Sequence, residues 1–484
     1  MSQALNLPIF TQLLAKKNIV PVEAFPEDPC LLFANPPDIE DRAKIRFLLG
    51  SHVRFQMAQE EQIGRLIKHW RAKLSPELDG TDSNQFDQMD NDYLKDLASD
   101  APVIRMVNHL MERALDLNAS DIHFEPEERH LMVRCRVDGV MVNIEKLPAN
   151  VQPAVSSRVK LMARLDIGEK RLPQDGRIQY QMGERSLDMR VSTLPGVHGE
   201  SIVLRILDRS DVTVSLDKLG MPADILKPYA HIIQQPHGMV LVTGPTGSGK
   251  TTSLYGTLEK INTGSQKIIT IEDPVEYMLE GITQIHVNSK IGLTFAAGLR
   301  SIVRQDPDII MVGEIRDHET AEIAIESALT GHLVFSTLHT NDAAGAVTRL
   351  QDMGIDTYLI SSSLMAVMAQ RLVRKVCLHC AEEQALTAEE FDLLGITPQD
   401  CTHVRRGRGC ERCANTGYRG RLGLYELLVV SDEVRHVISS GGDANAIRQQ
   451  AISEGMRSLR KDALEKLYQG ITTPEEIVRV TRAS

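Results

Sequence analysis

The chain has 484 residues, a formal net charge of -11 at pH 7 and an aromatic content of 4%. This length exceeds what one hydrophobic core supports, so about two to four domains are expected. The acidity and the scarcity of aromatic rings argue against nucleic acid as the main partner. No apolar stretch reaches the roughly 18 residues of a membrane-spanning helix, and the N-terminus lacks a basic region followed by an apolar one. The composition predicts a cytoplasmic protein that works with proteins or membrane proteins.

The N-terminal residues, 1–78, combine short amphipathic runs with proline-containing turns and carry no catalytic motif. They predict a small α/β module. Residues 79–100 are rich in Asp, Asn, Gln and Ser, which is typical of a solvated linker. A charged helix face is the alternative for this segment, since Tyr93, Leu94 and Leu97 suit the start of the next helix.

A middle domain of α+β type is predicted over residues 101–210. A helical segment over 101–117 precedes an alternating strand over 131–137 and Asp138-Gly139, a dipeptide typical of a hairpin turn. A further helix and three strands are predicted over 151–165, 178–182, 186–192 and 201–207. Several arginines lie beside turns or in strands, where each taken alone is typical of a solvated surface. They are Arg134, Arg136, Arg171, Arg177 and Arg190.

A phosphate-binding motif follows the apolar run from Gly238 to Thr243. It fits G-x-x-x-x-G-K-[ST] and lies between a strand-like and a helix-like run, as a P-loop requires. Its glycines allow a tight turn whose N–H groups form an anion nest with the following helix N-terminus. Lys250 can reach the β- and γ-phosphates of ATP, and the Thr251 hydroxyl suits Mg²⁺. The predicted nucleotide-binding residues are Gly244, Pro245, Thr246, Gly247, Ser248, Gly249, Lys250, Thr251 and Thr252.

Three further apolar strands alternate with helical segments, which implies a parallel sheet. They are predicted over 267–271, 308–312 and 332–337, and a polar cluster follows each one. Ligands of open α/β sheets bind at the carboxyl ends of strands, so these clusters are expected at the nucleotide site. The clusters are Glu272 to Glu276, Gly313-Glu314, and Leu338 to Asn341.

Glu314 is the predicted principal catalytic carboxylate. It follows an apolar strand and a glycine, where a P-loop ATPase places an acid near Mg²⁺ and the attacking water. Asp308 precedes the strand instead of ending it, so contact of Glu314 with Mg²⁺ through water, with the nucleophile, or with both stays open. Glu272 is the second candidate for orienting water.

Two histidines, His332 and His339, flank the third of these strands. Neutral imidazoles hydrogen-bond phosphate and carboxylate groups, so both histidines are predicted to sense the γ-phosphate. A single histidine at such a position is more often structural, but two of them around Ser336-Thr337 favour the sensing role.

Four of the seven cysteines form two C-x-x-C pairs late in the chain. In a reducing compartment such pairs indicate a metal site, with a redox dithiol as the alternative. Four thiolates suit tetrahedral Zn²⁺ and leave no position for substrate water, so the zinc is predicted to be structural. Nearby arginines raise a nucleic-acid-binding finger as a competing interpretation, which the acidity of the chain weakens. The predicted ligands are Cys377, Cys380, Cys410 and Cys413, in a subdomain over 377–415 that precedes a helical region over 416–484.

Several segments together resemble the secretion ATPases of type II secretion and type IV pilus assembly. They are GPTGSGKTT, ITIEDPVEY, RQDPDIIMVGEIRD, GHLVFSTLHTN and AQRLVRKVC, and the resemblance covers about residues 100 to 484. It implies a RecA-like P-loop ATPase domain over 211–376 that follows a PAS-like α+β domain. It also implies a ring-shaped homo-hexamer with ATP bound between its subunits. The resemblance implies that this ring drives an inner-membrane platform protein, which assembles pilin-like subunits. Type II secretion is favoured over pilus extension.

The resemblance also assigns roles to residues. Gly244 to Thr251 matches Walker A, Glu272 to Glu276 the acidic box, Glu314 the Walker B glutamate, and the two histidines the histidine box. The four cysteines favour an assembly ATPase over a retraction ATPase. Arg177 and Arg190 match segments whose arginines approach nucleotide when the middle domain closes on the ring, and pairing with Asp175 or Asp188 is their alternative role. Residues 1–78 look like a shortened docking domain for a membrane-anchored partner, which implies peripheral association with the inner membrane.

Two other classes of protein stay open. A nucleic-acid motor of RecA-like fold would share the P-loop and use the cysteine module on DNA, and DNA-stimulated ATPase activity would identify it. A regulatory scaffold would bind ATP without hydrolysis, so it would keep Lys250 but have no need of Glu314.

Overall fold

The computed structural model describes residues 19–21, 30–33, 53–59, 63, 101–182, 185–208 and 215–481. The chain divides into two compact units, residues 1–92 and 93–484. The boundary between them falls within the predicted linker 79–100, which lies outside the described residues. No helix in the described ranges combines the length and the apolar character needed to cross a bilayer.

The described part of the first unit is a small three-stranded sheet. Its strands are β1 (Ile19–Pro21), β2 (Cys30–Phe33) and β3 (Arg54–Met57). β1 pairs antiparallel with β2, which pairs parallel with β3. Leu31, Phe33 and Val53 form its small core. The amphipathic runs predicted elsewhere in residues 1–78 lie outside the described residues.

The middle domain is one antiparallel sheet with two helices on one face. Its elements are α1 (Ala101–Asp116), β4 (Ala119–Pro126), β5 (His130–Val137), β6 (Val140–Pro148), α2 (Gln152–Met162), β7 (Gln174–Met182), β8 (Arg185–Gly196) and β9 (Gly199–Asp208). The strand order is β6-β5-β4-β9-β8-β7. Burial alternates along β5, and its buried side chains join those of both helices in one core. The predicted hairpin turn at Asp138-Gly139 is confirmed, with φ of 51° and 83°.

The face of this sheet away from the helices carries a row of charged residues. Arg177 of β7 lies opposite Arg190 of β8, which lies opposite Arg205 of β9. Arg205 in turn faces Asp121 of β4 and bonds its carboxylate at 3.0 Å. Residues directly opposite each other on neighbouring strands share a face, so the three arginines form one basic row.

The second domain of this unit is a seven-stranded sheet covered by helices on both faces. Its elements are α3 (Ala223–Ile232), β10 (Gly238–Thr243), α4 (Lys250–Ile261), β11 (Ile268–Glu272), β12 (Thr283–His286), α5 (Phe295–Ile302), β13 (Ile309–Val312), α6 (His318–Leu329), β14 (Leu333–Leu338), α7 (Ala343–Asp352), α8 (Thr357–Ser363), β15 (Leu364–Val376) and β18 (Tyr418–Val429). The order is β12-β11-β13-β14-β10-β15-β18, and every pair except β15 with β18 is parallel. Helices α3 and α4 pack on one face, and α5 to α8 on the other.

The C-terminal region differs from its prediction at one point. The segment predicted to be helical over 416–484 begins with β18, a 12-residue edge strand of the central sheet. The cysteine module, with β16 (Ala381–Ala385), α9 (Ala388–Leu394) and β17 (His403–Gly407), is therefore an insertion between β15 and β18. Four helices follow: α10 (Asp432–Ser439), α11 (Ala444–Ser453), α12 (Leu459–Tyr468) and α13 (Pro474–Thr481).

Candidate nucleotide-binding and catalytic site

Four polar segments meet at one edge of the central sheet, where β10, β11, β13 and β14 end. These strands are mutually parallel, so their carboxyl ends lie side by side. The loops that follow them enclose a cleft of about 680 Å³. Its walls include the phosphate loop from Thr246 to Thr252, with Glu272, Glu314 and His339. The structure confirms that these predicted residues lie together.

The phosphate loop requires glycine at its two ends. Gly244 and Gly249 have φ of 149° and 87°. A Cβ atom on Gly244 would lie 2.3 Å from the backbone oxygen of Gln370, and one on Gly249 would lie 2.9 Å from the Gln370 side-chain nitrogen. The loop thus turns tightly against β15, and α4 begins immediately after it, with its first N–H groups at the cleft.

Lys250 lies within the loop that it is expected to serve. Its Nζ donates to the backbone oxygens of Gly244, at 2.7 Å, and Pro245, at 3.2 Å. Burial lowers the pKa of Lys250 to about 8, against the opposing effect of the Glu314 carboxylate. The Ser248 hydroxyl is buried in the same loop and has no hydrogen-bond partner among the described residues. A phosphate group would supply acceptors for both side chains.

Glu314 lines the cleft, and its carboxylate lies against the side chains of Arg316 and His339. Arg316 Nη2 donates to its Oε1 at 2.5 Å, and His339 Nε2 lies 3.4 Å from its Oε2. Burial alone would raise the pKa of Glu314, but Arg316 and His339 outweigh it and hold that pKa below its usual value. Glu314 is therefore an anionic carboxylate near neutral pH, suited to Mg²⁺ or to a water molecule.

Glu272 has very different surroundings. It is only 3% exposed, and both of its carboxylate oxygens accept hydrogen bonds. Tyr255 Oη donates to one oxygen, while Thr270 Oγ1 at 2.6 Å and Gln284 Nε2 at 3.2 Å donate to the other. These donors fix the carboxylate in place, which suits a group that positions its neighbours more than one that activates water.

The prediction that both histidines line this cleft is wrong for His332. This residue precedes β14, whereas His339 follows it, and β14 is six residues long. At roughly 3.3 Å per residue, the two ends of the strand lie about 20 Å apart. His332 Nδ1 lies 2.9 Å from the backbone oxygen of Ser327, a contact with the preceding helix. Within one chain His332 therefore has a structural contact, and only His339 faces Glu314.

The two predicted arginines lie next to the cleft. With Arg205 and Pro274 they line a neighbouring cavity of about 500 Å³. Arg190 Nη2 lies 3.7 Å from Glu276 Oε2, so within the described part of the chain this arginine forms an ion pair with the acidic box. The basic row of the middle domain thus faces the loop after β11.

Four residues of the site were missed by sequence reasoning. Arg316 is two positions after Glu314, and this short spacing on a strand-end loop was the available signal. Tyr255 and Gln370 reach the site from α4 and β15, and Ser253 Oγ bonds the Gln370 side chain at 2.8 Å. Arg421 lines the cleft from β18 and lies 3.7 Å from Asp138 of the middle domain. The last three depend on contacts between distant segments, which no local pattern reveals.

The four predicted zinc ligands lie together, with their sulfur atoms all within 4.8 Å of one another. The Sγ atoms of Cys377 and Cys410 are 3.9 Å apart, as are those of Cys380 and Cys413. A tetrahedron with Zn–S bonds of about 2.3 Å has S···S edges of about 3.8 Å. The sulfur positions therefore fit a four-thiolate metal site.

The fold and the cleft together define a P-loop ATPase. A phosphate loop lies between β10 and α4, an acid follows a neighbouring parallel strand, and helices cover both faces of the sheet. The chain matches the model of the family described as type II/IV secretion system protein over residues 96–479, and it belongs to that family.

Its relatives narrow this class. The type II secretion system protein E of Xanthomonas campestris pv. campestris is 49% identical over 458 residues, covering 93% of this chain and 81% of the relative. The protein of the same name from Klebsiella pneumoniae is 50% identical over 81% of this chain and 78% of its own length. The type II secretion system ATPase E of Vibrio cholerae is 47% identical over 84% of this chain and 81% of its own length. The chain is an ATPase of type II secretion. Of the two related functions predicted from the sequence, type II secretion and type IV pilus assembly, the relatives support the first.

Solved structures agree on the fold. The pilus retraction motor PilT with bound ADP is 27% identical, with a TM-score of 0.53 over 77% of this chain and 95% of that one. The Legionella pneumophila ATPase DotB has a TM-score of 0.59 at 23% identity, over 78% of this chain and 96% of that one. The DotB similarity shows the α/β P-loop fold and nothing further about the site.

Proposed function

We propose that the chain hydrolyses Mg²⁺-ATP in the cleft and uses the energy to drive pseudopilus assembly for type II secretion. The observation that carries this proposal is the meeting of the phosphate loop, Glu314 and His339 at one sheet edge. Lys250 and the loop amides bind the β- and γ-phosphates, and Thr251 holds Mg²⁺. Glu314 orients the attacking water, and His339 reports the presence of the γ-phosphate through its contact with that carboxylate.

Glu272 has a positioning role in this proposal. Its buried carboxylate joins the acidic box to α4 through Tyr255, so it keeps the loop after β11 at a fixed distance from the phosphate loop. The preorganisation of charged groups is the main contribution of a protein to phosphoryl transfer.

The middle-domain arginines would complete the site. Arg177 and Arg190 supply the positive charge that is missing on the far side of the γ-phosphate, from the same chain or from a neighbouring subunit. Their position beside Pro274 and Glu276 supports this role. We place ATP between the subunits of a homo-hexamer.

We further propose a structural zinc ion held by Cys377, Cys380, Cys410 and Cys413. Zinc would cross-link the two turns of the insertion. An inner-membrane platform protein is the proposed target of the ring. The module of residues 1–78 is the proposed docking site for a membrane-anchored partner, and the alignment with the Xanthomonas relative, over 93% of the chain, extends into it.

Secretion in a bacterium that carries a type II system tests this function. Overproduction of the Glu314→Gln variant beside the resident wild-type protein should block release of the exported enzyme, because mixed rings would contain inactive sites. Overproduction of Glu322→Gln, which changes an exposed glutamate on α6, is the matched control. Undiminished enzyme activity in the medium of the Glu314→Gln strain, at equal protein levels, would contradict the proposed motor.

A further inference from the structure

A separate cavity of about 280 Å³ lies beside the cysteine module and shares no residue with the nucleotide cleft. Three cationic side chains line it, and they come from three strands: Lys375 of β15, Arg405 of β17 and Arg419 of β18. The turn that follows α12, from Gln469 to Ile471, closes it on one side. Positive charge is thus concentrated at one point of a chain whose net charge is -11.

Two of the three cations are held in place by glycines. Gly470 has a φ of 68°, and a Cβ atom there would lie 2.9 Å from Cδ of Arg405. Gly420 has a φ of 78°, and a Cβ atom there would lie 3.1 Å from Cε of Lys375. The aliphatic parts of Arg405 and Lys375 therefore pack against the backbone of these glycines. This packing restricts the two side chains and lowers the conformational entropy that they lose when a ligand binds.

Carboxylates lie near two of these cations without forming an ion pair in the described part of the chain: Glu383 of β16 lies opposite Arg405 of β17, and Asp116 and Glu411 line a different cavity with Arg419. The walls of the cavity contain neither Asp nor Glu, and none of the three makes an ion pair within the ranges that the structure describes. Neighbouring arginines behave differently. Arg374, Arg406 and Arg408 pair with Glu476, Glu390 and Glu382 respectively.

The C-terminus of α12 does not account for this charge either. Cations often neutralise free carbonyl groups at a helix end. Here the backbone oxygens of Glu465, Lys466 and Leu467 already accept hydrogen bonds from the amides of Gln469, Ile471 and Gly470. Of the last four carbonyl groups of this helix, only that of Tyr468 accepts no backbone hydrogen bond, so at most one carbonyl group of the turn is left for three cations.

We propose that this cavity binds a phosphate-bearing anion. Three converging positive charges match a phosphate dianion better than a single carboxylate, and guanidinium groups bind phosphate oxygens through paired hydrogen bonds. The volume admits a phosphate group with its substituent. Two sources share this chemistry: a free phosphorylated small molecule and the headgroup of an anionic phospholipid, whose acyl chains could contact Leu378, 78% exposed at the rim.

The test uses the full-length protein with its P-loop saturated by Mg²⁺ and ADP. Binding of inorganic phosphate is measured by phosphorus NMR line broadening. Binding to phosphatidylglycerol vesicles is measured by cosedimentation, with phosphatidylcholine vesicles as the reference. The triple variant Lys375→Gln, Arg405→Gln, Arg419→Gln is compared with wild type and with Arg408→Gln. The last is a control in the same module that removes an exposed arginine outside the cavity.

We expect the triple variant to bind at least one probe about tenfold or more weakly than wild type, while Arg408→Gln binds normally. Loss of phosphate binding identifies a free phosphate ligand, and loss of vesicle binding alone identifies a lipid headgroup. Equal binding of both probes by wild type and triple variant would overturn the proposal, as would binding of neither probe by wild type. If the triple variant has a lowered zinc content or melting temperature, Lys375→Gln and Arg419→Gln are compared singly by the same criteria.

Discussion

Glu314 and Glu272 end neighbouring parallel strands, yet their surroundings give them different roles. The Glu314 side chain is 16% exposed and faces Arg316 and His339, which keep it ionised and accessible. Glu272 is almost fully buried, and both of its oxygens accept hydrogen bonds. The sequence predicted that both carboxylates lie at the site, because strand ends are local features. It ranked Glu314 first, but it could not show that Glu272 is held by hydrogen bonds, because the donors to Glu272 come from α4, β11 and β12.

Tyr255→Phe tests the positioning role of Glu272. Removal of the hydroxyl leaves a buried carboxylate oxygen without its donor, which should lower the free energy of unfolding by about 1–3 kcal/mol. It should also reduce ATP turnover with little change in ATP affinity. Urea unfolding and steady-state phosphate release measure the two effects. Tyr277→Phe is the matched control, since its ring packs edge-on against Tyr255 with centroids 4.5 Å apart. Equal effects of both substitutions would contradict the role.

ATP affinity should fall as pH rises above neutrality, because burial lowers the pKa of Lys250 to about 8. Below that pH the ammonium is charged and binds phosphate, and above it the free protein holds a neutral amine. Bound phosphate stabilises the charged form, so affinity should weaken by up to about tenfold per pH unit above pH 8. A fluorescent ATP analogue titrated between about pH 7 and pH 9 measures this. In the control Lys250→Arg, whose guanidinium stays charged, ATP affinity should be lower but nearly constant over this pH range. An equal decline of ATP affinity with pH in both proteins would assign the effect to another group.

At the scale of elements, the pattern of the sequence predicted the parallel strands well and the edge of the sheet poorly. Strands β10, β11, β13 and β14 are short buried runs with polar ends, a local signal that periodicity detects. β18 contains two glycines and two arginines, and its stability as a strand comes from antiparallel pairing with β15 across the inserted cysteine module. Such pairing between distant segments leaves no local pattern, so the segment was assigned to the helical region.

The cysteine module should depend on metal for its stability. Three of the sulfur–sulfur distances are 3.7 to 3.9 Å and all lie within 4.8 Å, which suits a tetrahedral metal position between the four atoms. Elemental analysis should find about one zinc per chain, and the double variant Cys377→Ser, Cys410→Ser should lose it and unfold more readily. Cys401→Ser, which changes a thiol outside the cluster, is the control. A metal-free wild-type protein of unchanged stability would contradict the zinc assignment.

At the scale of the whole molecule, the second unit brings a basic sheet face against an acidic strand-end loop. The arginine row across β7, β8 and β9 could not be derived from the sequence, because it depends on the register of three strands. The resemblance to secretion ATPases supplied Arg177 and Arg190 without that register. The structure adds Arg205 to the row, an ion pair between Arg190 and Glu276, and a cavity that the row shares with Pro274.

Arg177→Ala and Arg190→Ala test whether this row serves hydrolysis. Each substitution should lower ATP turnover with little loss of ATP affinity, and loss of a full arginine finger should lower turnover by about 10³-fold or more. Arg171→Ala, an exposed arginine of the same domain that pairs with Glu169, is the control. Mixing either variant with Lys250→Ala should restore some activity if the contact crosses subunits. Full turnover by the double arginine variant would exclude the role, and failure of mixing alone would place the contact within one chain.

The central claim is that ATP is bound by the phosphate loop and hydrolysed with the help of Glu314. Phosphate release and ATP binding by purified wild type, Lys250→Ala and Glu314→Gln test it most directly. We predict that Lys250→Ala loses both binding and turnover, whereas Glu314→Gln retains ATP and releases phosphate at least about 10²-fold more slowly than wild type. Wild-type phosphate release by purified Glu314→Gln protein would contradict the account.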